Sequence, residues 1–477
     1  MKKILSKYKL LFLAIFLMSL GCIQEDNEIL ENLNKSENPL TSDLSSSTFP
    51  PSCVGTNGVR VMGFLESDIT DAINLIEASN GGKLFFPAGD YVLSNVGSTN
   101  KTVLNFNGGS GLFVNGLEIA GEEGTVIRLN SDTSTRSGMR LLNVSDVSCL
   151  YIHDIRFEGT FEGFGIFADA DLRNQKNINL SNCTNVLIED VESTNIDGNG
   201  LNIGTFQEGD KSNNIVVRRF FADVLNRAGI VFLGKGETDN VTIEYCNFGG
   251  NFRTQQIDFE PDIASFGKIS NVTIQNNIFN TAVPHDTPSQ QAGIATYARN
   301  AIITGININN NNFNGNAITL QRGTSASSIN NNTDIGVLAI TNITENIEIR
   351  DNNFILGPTP RTIHLSLGAG LVISDSRNAF EGEPNNIRIH HNFLEVDDSF
   401  DLGVYVTNAK DVDINNNTVS FGSQNSNGEH TGMRFKVNSP LETDLEIYRS
   451  LACDNTFINV DPGFEYDTIG TILLPCD

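Results

Sequence analysis

From Asn185 onward the chain repeats one short pattern: Asn or Asp, an apolar residue, any residue, a second apolar residue, then polar positions before the next apolar one. It reads Asn185-Val-Leu-Ile, Asn214-Ile-Val-Val, Asn240-Val-Thr-Ile-Glu-Tyr-Cys-Asn-Phe and Asn271-Val-Thr-Ile-Gln-Asn-Asn-Ile-Phe. It returns at Gly305-Ile-Asn-Ile, Asn346-Ile-Glu-Ile, Asn386-Ile-Arg-Ile and Asp411-Val-Asp-Ile. Period-two alternation marks a strand with one buried face. The repeats are 25 to 41 residues apart, so one structural unit recurs with loops of unequal length.

Each unit holds a second short strand: Gly200-Leu-Asn-Ile, Gly229-Ile-Val-Phe, Gln256-Ile-Asp-Phe, Gly293-Ile-Ala-Thr, Ala317-Ile-Thr-Leu and Thr362-Ile-His-Leu. No space is left for a helix between the strands. A β-sandwich or propeller would carry hairpin or blade motifs, and neither is present. The pattern predicts an all-β chain, a single-stranded right-handed parallel β-helix whose coils stack in parallel. Asn residues aligned at the turns are expected to form hydrogen-bonded ladders along the stack.

Ahead of the repeats, Ser67 to Ala78 reads as a short helix, apolar at Ala72, Ile73, Leu75 and Ile76 and N-capped by Ser67. Gly81-Gly-Lys-Leu-Phe-Phe-Pro-Ala-Gly-Asp-Tyr91 follows. This sequence resembles the opening of the pectate-lyase-like superfamily, a capping helix and then a GG…PAG-x-Y strand. The resemblance implies that fold for roughly residues 60–460. It implies carbohydrate chemistry without selecting the reaction, because the superfamily includes lyases, glycoside hydrolases and epimerases.

The N-terminus carries Lys2, Lys3, Lys7 and Lys9, then an apolar run from Leu10 to Leu20 that ends in Leu20-Gly21-Cys22. The run is too short to span a bilayer. The segment resembles the lipobox of bacterial lipoproteins, which implies lipidation of Cys22. The acidic stretch Gln24-Glu-Asp-Asn-Glu28 is similar to the surface-export signal of Bacteroidetes lipoproteins. The expected organisation is a signal peptide at 1–21, a flexible acidic and Ser-rich tether at 22–52, and a β-helix at 53–477. The expected location is the cell-surface face of the outer membrane, with the chain as a lipid-anchored monomer.

The net charge of −26 argues against a nucleic-acid partner. An anionic polymer would need a local cationic cleft or a bound metal ion. The Cys residues show no zinc spacing. Cys453 and Cys476 either pair or, with the others, are small buried residues.

Aligning the second strands by their leading small residue turns Leu201, Ile230, Ile257, Ile294, Ile318 and Ile363 inward. The next position then faces outward as Asn202, Val231, Asp258, Ala295, Thr319 and His364. Two residues on, Glu260, Tyr297 and Gln321 face the same way. Asp258-Phe-Glu260-Pro-Asp262 sets three carboxylates in five residues, Arg227 precedes and Lys235 follows the neighbouring strand, and the 281–291 insertion brings His285. Arg227, Lys235, Asp258, Glu260, His285 and Tyr297 are the expected catalytic residues. Gln256, Gln291, Gln321, Arg322 and His364 are the expected substrate contacts.

β-Elimination from a uronate requires a group that neutralises the carboxylate, a base and an acid. Asp258, Glu260 and Asp262 could bind Ca²⁺ through hard oxygen ligands. The Asp258-x-Glu260 pair is similar to the acid-x-acid pair of calcium-dependent β-helix lyases for alginate and chondroitin, although the nearest following lysine is Lys268. Glycoside hydrolysis by Asp258 and Glu260 is the second reading. Asn195-Ile-Asp197-Gly198 only faintly echoes the polygalacturonase motif. The expected function is β-elimination on an extracellular, uronate-containing algal or plant polysaccharide, including loss of water from a terminal uronate. The third reading is a surface lipoprotein that binds glycan without turning it over.

Overall fold

The chain divides into two units, Met1–Pro50 and Pro51–Asp477. The computed structural model describes residues 53–474 except 95–101, 110, 131–137, 162–174, 250–255, 262–266, 282–292, 297, 316–333, 336–337, 341, 357–366, 375–384, 397–401, 408, 423–429, 437–447, 461–462 and 467–470. The expected signal peptide, the tether and Cys22 lie outside the described residues, and so does Cys476.

All pairings among the described strands are parallel, and successive coils add one strand to each face. One sheet of 23 strands bends into two columns, fused where Leu150–Glu158, Thr184–Ile196 and Lys211–Leu225 run across the bend. A sheet of 13 strands forms the remaining wall. The chain is an all-β parallel β-helix.

The recurrent Asn/Asp that opens each repeat has a backbone cause. Asn185, Asn214, Asn240, Asn271, Asn346, Asn386 and Asp411 all have positive φ, between 49° and 58°. Asn and Asp tolerate that conformation far better than branched residues do. Gly305 takes the same role at φ 66°. The alternating apolar residues then point inward. Phe248, Phe279, Phe313 and Phe354 stack on successive coils with ring centroids 4.9, 4.5 and 4.6 Å apart.

A buried ladder of Asn277, Asn311, Asn352, Asn392, Asn417 and Asn455 runs beside that stack. Each Nδ2 donates to the Oδ1 of the next rung at 2.9–3.0 Å. Each Nδ2 also donates to a strand carbonyl, as Asn311 does to Ile274 at 2.9 Å. Each Oδ1 accepts the backbone N–H of the preceding rung as well, as Asn352 does from Asn311 at 2.9 Å.

The helix is Glu66–Ala78, and Leu65, not Ser67, occupies its N-cap position. The Leu65 N–H donates to the Asp68 carboxylate at 3.0 Å, so an acid in the first turn supplies the cap and Ser67 lies inside that turn. A disulfide joins Cys53 to Cys149 across a sequence separation of 96 residues, a pairing that spacing did not suggest. Cys183 and Cys246 are buried free thiols, and Cys453 is disulfide-bonded. Among the described residues no helix is long and apolar enough to cross a membrane.

Candidate active site on the outer wall of the 13-stranded sheet

The site sits on consecutive strands Thr102–Asn107, Arg140–Ser145, Gln175–Ser181, Gly198–Gly204, Ile230–Gly234, Ile257–Pro261 and Ile294–Thr296. Leu201, Ile230, Ile257 and Ile294 are in register and buried in the core, as the alternation predicts. The following position gives an outer column of Asn105, Asn143, Asn179, Asn202, Val231, Asp258 and Ala295. Two residues on, Ser145, Ser181, Gly204, Leu233 and Glu260 form a parallel column.

Asp258 is only 4% exposed although it belongs to the outer column. Its carboxyl group is hydrogen-bonded to that of Glu260, and Arg227 lies within electrostatic reach. Burial raises Asp258 well above the usual carboxylate range, the Glu260 charge raises it further, and Arg227 opposes both. Burial and the neighbouring Glu260 thus favour the protonated form of Asp258. Among the described residues the Asp258 Oδ1 has no hydrogen-bond partner.

Arg227 is half-buried; its N–H bonds the Gly198 carbonyl at 3.0 Å, which seats it beside the strand Gly198–Gly204. A second group of residues, which the sequence reading missed, continues the wall. Arg140 and Lys176 are register partners on adjacent strands. Burial first, then the charges of Arg140 and Arg227, push Lys176 down to about 8. Burial alone lowers Arg140. The Arg140 Nη1 donates to Asn143 Oδ1 at 3.3 Å, and Asn179 Nδ2 donates to the same oxygen at 2.8 Å. The signal for these residues was present: Arg140-Leu-Leu-Asn143 and Lys176-Asn-Ile-Asn179 place an Asn in the same register as Asn202.

The other expected residues separate from this group in different ways. Lys235 is exposed just past Gly234. Gln256, expected to contact substrate, is 2% exposed. Its Nε2 donates to the carbonyls of Gly249 and Asn280 at 3.2 and 2.7 Å, so its donor is committed to joining coil turns. Asp262, His285, Gln291, Tyr297, Gln321, Arg322 and His364 lie outside the described residues. The register of the two coils after Ile294 differs from expectation. Ile294 and Ala295 pair with Leu338 and Ala339, which pair in turn with Leu371 and Val372. The 41-residue step from Gly305 to Asn346 contains two apolar triplets, Ile318-Thr-Leu320 and Leu338-Ala-Ile340, and the second is the one that pairs there. The positions expected of Thr319 and His364 in the outer column thus belong to Ala339 and Val372.

Among the described residues no three His, Cys, Asp or Glu side chains converge as a metal site. Of the three expected calcium ligands, Asp258 and Glu260 stand together and Asp262 lies outside the described residues.

No family model matches the chain, and no curated protein matches it. Solved structures do resemble it. The Streptococcus pneumoniae surface protein and adhesin PfbA aligns with a TM-score of 0.51 and 14% identity, covering 84% of this chain and 95% of that one. The A-module of Azotobacter vinelandii mannuronan C-5 epimerase AlgE4 gives 0.44 and 13%, covering 86% and 96%. Polygalacturonase from Erwinia carotovora gives 0.47 and 10%, covering 91% and 100%. At these identities the likeness concerns the fold alone, and that fold is the parallel β-helix.

Proposed function

We propose that the chain is a carbohydrate-active enzyme that cleaves a uronate-containing polysaccharide by β-elimination at Asp258, Glu260 and Arg227. The observation that carries the reading is the carboxyl pair: Asp258, buried and raised well above the usual carboxylate range, stands hydrogen-bonded to Glu260 with Arg227 within electrostatic reach, on the outer wall of a solenoid. Arg227 pairs with the uronate carboxylate and so acidifies the C5 proton. Glu260 takes that proton. The C4–O bond breaks, the electron pair of the C5–H bond forms the C4–C5 double bond, and Asp258 gives its proton to the leaving oxygen. Glu260 then holds a proton and Asp258 does not; transfer across their own hydrogen bond restores the starting state.

Hydrolysis fits the pair less well. Glycosidase carboxyls stand about 5–5.5 Å apart in retaining enzymes and about 6.5–9.5 Å apart in inverting ones. Hydrogen-bonded carboxyls are closer than either, and suit a reaction in which proton and leaving oxygen depart from one face of the sugar.

The test is a panel of uronate polysaccharides read two ways, by ultraviolet absorbance of the new double bond and by reducing ends. The expected result is both signals together. Reducing ends without absorbance would replace elimination with hydrolysis, and neither signal on any member would leave a binding protein. We further infer that lipidated Cys22 anchors the chain at the cell surface. Cys22→Ala should then move the protein out of the membrane fraction, and its retention there would overturn the anchor.

A further inference from the structure

Cations on the 23-stranded sheet are paired with acids: Lys83 with Glu118 at 2.7 Å, Arg219 with Asp190 at 2.7 Å, Lys211 with Asp239 at 3.3 Å and Lys268 with Glu237 at 3.1 Å. In a chain of net charge −26 that is the expected outcome. Arg140, Lys176 and Arg227 break the pattern. Among the described residues none of the three forms an ion pair, yet all three crowd one patch of the outer wall. Like charges opposite each other on neighbouring strands are destabilising, and partial burial adds to the cost.

The patch also lacks hydrogen-bond partners. Arg140 Nε is buried with none. Asn202 is 2% exposed, and among the described residues neither its Oδ1 nor its Nδ2 has a partner. Asn202 stands in the outer column between Asn179 and Asp258. Unpaired buried amides are uncommon because each costs free energy until something bonds it.

Resting on the proposed reaction, we infer that Arg140 and Lys176 form a second anion-binding subsite, which holds a carboxylate or sulfate on a sugar away from the scissile bond. Four strand steps separate the Arg140 strand from the Asp258 strand, roughly 19 Å at the usual strand spacing. A glycan chain lying across the coils reaches from Glu260 past Arg227 to Lys176. Asn202 meets its hydroxyls on the way. The preferred substrate is therefore a chain with more than one anionic sugar, longer than the unit cleaved. A bound anion also opposes the burial and the neighbouring positive charges that lower Lys176.

The test is retardation in native gels cast with alginate, polygalacturonate, chondroitin sulfate or fucoidan, with neutral dextran as control. The first two carry carboxylates, chondroitin sulfate carries both groups, and fucoidan carries sulfate. Wild type and Glu260→Gln should be retarded equally by at least one polyanion and not by dextran. An Arg140→Gln/Lys176→Met double variant should bind that polyanion about tenfold to a hundredfold more weakly, the loss expected for charge-assisted hydrogen bonds. Its melting temperature, expected to match or exceed that of wild type, reports that it is folded. Unchanged retardation of the double variant, or no retardation of wild type by any of the four, would overturn the subsite. Should Glu260→Gln keep full turnover while the double variant loses binding, the reaction assignment fails and the subsite stands.

Discussion

Two columns of asparagine run along this solenoid, and they end differently. The inner one, from Asn277 to Asn455, closes on itself: side chains are bonded to the neighbouring rungs and to strand carbonyls. The outer one begins in the same way, with Asn143 bonded to Asn105 and Asn179 bonded to Asn143, both at 2.8 Å. It then stops. Asn202 has no partner, Val231 offers none, and Asp258 turns to Glu260. A satisfied buried ladder stabilises and specifies the fold. A ladder left open on an outer wall, next to unpaired cations, keeps its polar groups free for a ligand.

The largest break in this contrast should come from Glu260→Gln. It removes the proton acceptor but keeps the shape, so turnover on a cleaved uronate glycan should fall about 10²–10⁴-fold. The melting temperature should barely move, and calorimetry beside the kinetic assay checks both.

Next come the columns themselves. Asn311→Ala strands the backbone N–H of Asn277 in the core, leaves its Nδ2 only the Ile243 carbonyl, and should cost about 2–4 kcal/mol in a denaturant titration. Asn202→Ala removes a side chain with nothing to lose in the free protein, and should change stability by no more than about 1 kcal/mol while weakening glycan binding. Equal destabilisation by the two variants would erase the distinction between the columns.

The smallest effect concerns pH. Asp258 in the folded chain sits above its unfolded value. Its contribution to stability is complete below the unfolded value and is lost as pH rises through the raised folded value. Asp258→Asn should therefore melt near wild type in acid and gain on it progressively as the solution becomes alkaline. A gain largest in acid would reverse the assignment.

The repeat was legible because its cause is local. Positive φ at the bend selects Asn or Asp at one position, and alternation then fixes which residues turn inward. That was enough to place Asp258, Glu260 and Arg227 on one wall. Arg140 and Lys176 escaped because the reading of the wall began at Gly200, although the two preceding strands carry the same outward Asn. Gln256 escaped because the residue that leads a strand obeys the turn, not the alternation, and its amide is needed there. The Leu338–Ile340 strand was hidden by a rival triplet in the same long step. The Cys53–Cys149 bond was hidden because it depends on how the first coils stack, which no spacing encodes.

The pH dependence of double-bond formation on a cleaved uronate glycan tests the role of Asp258 as proton donor most directly. The rate should fall as pH rises, at a pH well above the range of an ordinary carboxyl, as Asp258 loses the proton it must give. A rate indifferent to pH from mild acid to alkali, or reducing ends that accumulate with no ultraviolet signal at any pH, would contradict it.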